Sequence, residues 1–132
     1  MIAVEIYYFS RSGRSRKIAE DLAARYGVQA QRIDDGRNWA GTIGYIKAGY
    51  MAATKRSLPA LYKKPAGGQQ AVLVFPIWAG GFPPAVRRFL GEVGRGRIIC
   101  IPTSLGSTLK DREGFAKVID LVGASISAPE AL

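Results

Sequence analysis

Residues 7–27 read YYFSRSGRSRKIAEDLAARYG, and this stretch decides the fold. An apolar run, Ile2 to Phe9, passes directly into Ser10-Arg11-Ser12-Gly13-Arg14-Ser15, and a helical pattern follows at once. The run is apolar at nearly every position, which predicts a strand buried on both faces, as in parallel sheets. Ile18, Ala19, Leu22 and Tyr26 then recur on one face of a helix over Arg14–Tyr26, with Gly27 as its stop. Three hydroxyls, one glycine and two arginines fill the six residues between strand and helix. A capped helix start needs only one of those serines. The surplus predicts an anion site. Unpaired N–H groups and the partial positive charge of the helix end face the loop, and Gly13 permits close backbone approach. Ser10, Ser12 and Ser15 each have a hydroxyl proton to donate to a phosphate oxygen, each such bond being worth about 1.5–3 kcal/mol.

The remaining pattern repeats the alternation. Gln29–Ile33 reads as a second strand and AVLVFPIW, 71–78, as a third; RIICIPTS supplies a fourth over Arg97–Pro102. PPAVRRFLGEV, 83–93, starts a helix with proline in its first turn. Trp39–Arg56 is a helical stretch interrupted by Gly41, Gly44 and Gly49. Phe115, Val118, Ile119 and Val122 share a face of a helix expected over Leu109–Val122, and ASISAPEAL, 124–132, is expected as a fifth, edge strand. Strands separated by helices imply right-handed crossovers and an α/β fold. The expectation is one domain over residues 1–132, a three-layer sandwich on a five-stranded parallel sheet of order 2-1-3-4-5.

In such a sheet, ligands bind beyond the carboxyl ends of the strands. Two more strand ends therefore belong with the serine loop. One is PIWAGGFPP, where Trp78 is expected to offer a flat face for stacking. The other is PTSLGS, which is small and hydroxylated. A phosphate loop beside an aromatic-glycine loop and a small-residue loop fits a phosphate-tailed planar ring, the shape of flavin mononucleotide (FMN).

Composition excludes several chemistries. The chain of 132 residues has no histidine and one cysteine, Cys100. That rules out histidine triads, histidine-ligated metal and an internal disulfide, and a reducing cytoplasm is the expected location. No signal peptide and no membrane-spanning run is evident. There is no G-x-x-x-x-G-K-S/T nucleotide loop and no G-x-G-x-x-G loop. Cys100 does not open a C-x5-R phosphatase loop, because Gly106 stands where the arginine belongs.

FSRSGRSRKIAEDLA and VFPIWAGGFPPAVRRFL resemble the two principal flavin loops of the flavodoxin family, and CIPTSLGS resembles the third more loosely. The resemblance spans most of the chain. It implies noncovalent FMN, with Ser10, Arg11, Ser12, Gly13, Arg14 and Ser15 at the phosphate. Pro76, Ile77, Trp78, Ala79 and Gly80 would flank the ring, and Thr103, Ser104, Leu105 and Gly106 its other edge. Gly80, or else Gly81, is the expected source of a backbone carbonyl for the N5–H of reduced flavin. The implied function is electron transfer, or reduction of a small acceptor such as a quinone at the expense of NAD(P)H.

Two features depart from the family. Its electron carriers are usually acidic, whereas this chain has a net charge of +9. The charge fits an acidic protein partner, an anionic substrate, or a firmer hold on the FMN phosphate. The sequence also stops after the expected fifth strand, without the family's last helix. Three uncovered strands, about 4.8 Å apart and about 17 Å long, give roughly 250 Å² of bare sheet. That face is therefore expected to be buried in a homodimer or by a partner, the alternative being that the Tyr45-to-Leu61 region folds over it. Two further readings stand beside the redox protein. One is a binding module that has lost its flavin and serves an acidic partner. The other is nucleic-acid binding through the charge, for which no reading helix or aromatic-basic groove is present.

Overall fold

The computed structural model describes residues 4–11, 13–34, 60–65 and 70–132. The expected helix over 39–56 and Ser12 lie outside the described residues. The elements are β1 (Val4–Tyr8), α1 (Arg14–Tyr26), β2 (Ala30–Arg32), β3 (Gln70–Pro76), α2 (Pro84–Val93), β4 (Ile98–Ser104), β5 (Lys117–Val118) and β6 (Leu121–Val122). They form a parallel sheet in the order β2-β1-β3-β4-β5, with β6 also paired to β4. This is the expected α/β topology, with α1 on one face and α2 on the other.

The period of two along each strand divides the core. Val4, Ile6, Val72, Val74, Ile99 and Ile101 point to α1, where Ile18, Ala19, Leu22 and Ala23 meet them. Tyr7, Leu73, Phe75, Ile98 and Cys100 point to α2, against Ala85, Val86, Phe89 and Leu90. Cys100 is fully buried in this second layer, and burial pushes its thiol pKa up, so it packs as a small apolar side chain.

Tyr7 is also fully buried, and its hydroxyl donates to the carbonyl of Lys63. Burial and then Glu5 push its pKa up to about 12. Burial and a 2.8 Å hydrogen bond to Glu92 do the same for Tyr62. A folded-state pKa above the ordinary value of about 10 gives stability that is complete below pH 10 and lost as pH rises towards 12. Tyr7→Phe is expected to flatten that alkaline loss in urea titrations between about pH 9 and 12. At neutral pH it should cost about 1–3 kcal/mol, because the Lys63 carbonyl loses its donor.

The C-terminal third departs from the expectation. Leu109–Val122 is not a helix; it runs beside β4 and pairs in two short pieces. Ala116 N–H donates to Ile98 O at 3.0 Å and Ile119 N–H to Cys100 O at 2.8 Å, so the segment satisfies the backbone edge of β4. Gly114, at φ +82°, interrupts the helical path, and Arg112 pairs with Asp120 at 2.8 Å. The apparent helical stripe is split. Phe115 and Val118 pack on the α2 layer, Ile119 on the α1 layer, and Val122 is exposed.

Residues 124–132 form no strand either. They lie as a strap over the face that was expected to be bare. Ile126, Ala128 and Leu132 pack against the α1 layer, where Val72, Val74, Ile99 and Ile101 are all buried. Arg14 donates to Gly123 O and Arg25 to Pro129 O, which pins both ends of the strap to α1. The premise of a homodimer through an open sheet face is thereby removed: that face is covered from within the chain.

Candidate functional site

Three loops meet beyond the carboxyl ends of β1, β3 and β4. Between them lies a cleft of about 360 Å³ lined by Ser10, Arg11, Arg14, Ser15, Pro76, Ile77, Trp78, Ala79, Gly80, Thr103, Ser104, Leu105, Gly106 and Ser107. These are the described residues singled out from the sequence, save Gly13, together with Ser107. The volume lies within the range of small-molecule sites. No carboxylate lines the cleft among the described residues, and two arginines do.

At the first loop, Gly13 caps α1 at φ +95°, a conformation that strains residues with a Cβ, and open space surrounds the position. Ser10 Oγ accepts the Gly13 N–H at 2.9 Å, which closes the loop and leaves the Ser10 hydroxyl proton free to donate. The first bond inside the helix runs from Lys17 N–H to Gly13 O at 3.0 Å. The N–H groups of Arg14, Ser15 and Arg16 therefore have no partner within the helix. Ser15 is buried and tied elsewhere: its Oγ is 3.0 Å from Thr103 Oγ1, which is itself 3.3 Å from Phe75 O. With Thr103 donating to that carbonyl, Ser15 must donate to Thr103. Ser15 thus braces the helix start against β3 and β4 instead of presenting its proton to the cleft. Thr103→Val is expected to lower stability by about 1–3 kcal/mol in urea denaturation by stranding the Ser15 hydroxyl. Thr103→Ser should retain most of it.

At the second loop, Trp78 and Gly81 exchange N–H···O bonds of 3.0 and 2.9 Å around Ala79 (φ +51°) and Gly80 (φ +79°). Positive φ at both central residues defines a type I′ turn, a strained choice for Ala79. Trp78 departs from its expected role. It is only 6% exposed, and its indole meets Phe9 edge-on at 5.5 Å, so it is a core side chain reaching the cleft wall, not an open stacking plate. The Gly80 carbonyl is engaged as well, by Lys110 N–H at 3.3 Å, and that of Gly81 by Trp78 N–H.

In the third loop Ser104 Oγ accepts the Ser107 N–H at 3.0 Å and its hydroxyl donates to Ser107 O. This closes a tight turn that holds Leu105 out at 72% exposure, an apolar side chain on the cleft rim. Ser107 was readable in the PTSLGS stretch but hidden by its ordinary composition. Among the described residues no acidic, cysteine and histidine cluster fit for a metal occurs, and no helix is long and apolar enough to cross a membrane.

Sheet order, crossover pattern and the position of the cleft define a flavodoxin-like fold. A flavoprotein from Lactobacillus acidophilus, solved in complex with FMN, superposes with a TM-score of 0.71 at 16% identity, over 92% of this chain and 93% of that one. Two more solved structures agree, both from proteins whose flavoprotein assignment is itself provisional. One from Bacteroides uniformis has a TM-score of 0.74 at 19% identity, over 94% and 92% of the two chains. One from Bacteroides eggerthii has 0.70 at 18%, over 89% and 87%. At these identities the likeness carries the fold. No protein-family model matches the sequence. An uncharacterized protein of Archaeoglobus fulgidus is 31% identical over 101 residues, which are 74% of this chain but 64% of that protein.

Proposed function

We propose that the cleft binds FMN and that the chain is a flavin-dependent redox protein. The observation that carries this reading is the convergence of three loops, distant in sequence, on one cleft with no carboxylate among its described lining residues. The donor set suits a phosphate monoester: the Ser10 hydroxyl, the N–H groups at the start of α1 that have no partner within the helix, and the Arg14 side chain, with Arg11 on the same wall. In this reading Ser15 and Thr103 hold the loops in register, and the ring occupies the opposite end, between Pro76–Gly80 and Thr103–Gly106. Exposed Leu105 would fold down on it and exclude water. FMN, when bound, supplies hydride or single-electron transfer. The chain's own part is to grip, orient and desolvate.

The test is a titration of FMN fluorescence. Stoichiometric quenching and a yellow purified protein are expected; fluorescence unchanged at high protein concentration would defeat the proposal. A second reading, a flavin-free binding module for an acidic partner, is favoured by the buried Trp78 and by the engagement of Ser15 and Arg14 within the protein. The same titration separates the two. NAD(P)H consumption with a quinone acceptor then divides a reductase from an electron carrier.

A further inference from the structure

Arg14 opens α1, where the helix end is already positive and no acidic residue stands in the first turn. The next two cations on the helix are balanced: Arg16 meets Glu20 at 3.5 Å and Lys17 meets Asp21 at 3.7 Å, each one turn on. The residue one turn on from Arg14 is Ile18, which is buried in the core. Arg14 makes no ion pair among the described residues. Yet it is half-buried, on the cleft wall that Ser10 also lines.

What holds Arg14 there comes from 109 residues along the chain. Its Nη2 donates to the carbonyl of Gly123. Gly123 directly follows β6, whose Leu121 and Val122 pair with Thr103 and Ser104. The N–H of Gly123 donates to Ser104 O at 2.9 Å. One residue thus bonds two sides of the cleft, the third loop through its N–H and the first through its carbonyl. Its φ of +124° breaks the strand path at that point, a conformation rare for residues with a Cβ. The carbonyl engages one nitrogen of a planar fork that carries several donors, so the other N–H groups remain for an anion. A guanidinium held in this way has given up its rotamer freedom before any ligand arrives.

We propose that the Gly123 carbonyl positions Arg14 for the phosphate group of the bound ligand, which makes β6 and Gly123 an integral part of the anion site. The ligand class, a phosphate monoester, rests on the flavin reading. By linkage, a phosphate on Arg14 strengthens the hold on Gly123 in return.

The test uses the full chain and reads amide hydrogen exchange over residues 121–124 together with FMN affinity. Saturating FMN is expected to slow exchange there about fivefold or more, whereas riboflavin, which lacks the phosphate, leaves it unchanged. Arg14→Gln should weaken FMN binding about tenfold or more and abolish the slowing even at saturation. Gly123→Ala turns the carbonyl away and should weaken FMN by a similar factor, yet cost nothing further in a chain that already carries Arg14→Gln. Losses that simply add would make Gly123 a structural residue alone and overturn the positioning role. So would bound FMN with exchange at 121–124 unchanged, an outcome in which the flavin reading survives. Should Gly123→Ala fail to fold, the exchange comparison between the unaltered chain and Arg14→Gln decides. If FMN does not bind, the flavin reading falls and inorganic phosphate becomes the probe: slowing that requires Arg14 upholds the site, and no slowing overturns it.

Discussion

Ser10→Asp is expected to lower FMN affinity about a thousandfold or more while leaving the fold intact. The side chain at position 10 has two duties. It accepts the Gly13 N–H that closes the loop, and its proton remains free to donate from a residue that lines the cleft. Aspartate performs the first duty as well as serine does. It reverses the second, replacing a donor with a negative charge. A donor to a charged group is worth about 1.5–3 kcal/mol. Two like charges about 4 Å apart repel by about 4 kcal/mol at an effective dielectric constant near 20. Arg11 and Arg14 screen part of that repulsion, yet the net remains above the roughly 4 kcal/mol that corresponds to three decades. Ser10→Asn keeps the acceptor without the charge and should lose about tenfold. The readout is FMN fluorescence quenching, with thermal denaturation as the control for folding. Affinity within tenfold of the unaltered protein would place the phosphate elsewhere.

The features legible in the sequence were those with a strong local cause. Helix α1 occupies the residues its apolar stripe indicated, because Gly13 and Gly27 punctuate it and both adopt positive φ. Strands β3 and β4 were readable as unbroken apolar runs, and the alternation of about five strands with helices gave the sheet order, although the fifth strand was placed at 124–132 and not at 117–122. The cleft was legible for the same reason: loops at the carboxyl ends of neighbouring parallel strands must lie side by side. Tertiary effects were hidden. The spacing of Phe115, Val118, Ile119 and Val122 fits a helix, but nothing local reveals that the edge of β4 requires partners for Ile98 O and Cys100 O. Trp78 at a strand end looked available for stacking; its burial depends on Phe9, which is remote in sequence.

Deleting residues 125–132 is expected to lower the melting temperature by about 10 °C and to make the protein self-associate. Ile126, Ala128 and Leu132 are the side chains of this segment that pack on the α1 layer, and Arg25 gives up its bonds to Pro129 O and Glu130 O when they leave. Full burial of an isoleucine or leucine is worth about 1.5–3 kcal/mol, and these are partly buried, so a total near 3 kcal/mol is reasonable. For a chain of this length that corresponds to about 10 °C. The second consequence is the more telling one. Ile99 and Ile101 on β4, together with the parts of Val72 and Val74 that α1 does not cover, would then face water, recreating part of the bare apolar sheet that the sequence pattern suggested. An apolar patch of several hundred Å² on a small protein is normally covered by another surface. Sedimentation at micromolar concentration should show the shortened protein as dimers or larger species relative to the full chain. Replacing Ile126 and Leu132 with polar residues, through Ile126→Asn and Leu132→Asn in the full chain, should reproduce the loss of stability, because the strap acts by what it buries and not by its length. An unchanged melting temperature and sedimentation profile after the deletion would mean that another part of the protein shields this face.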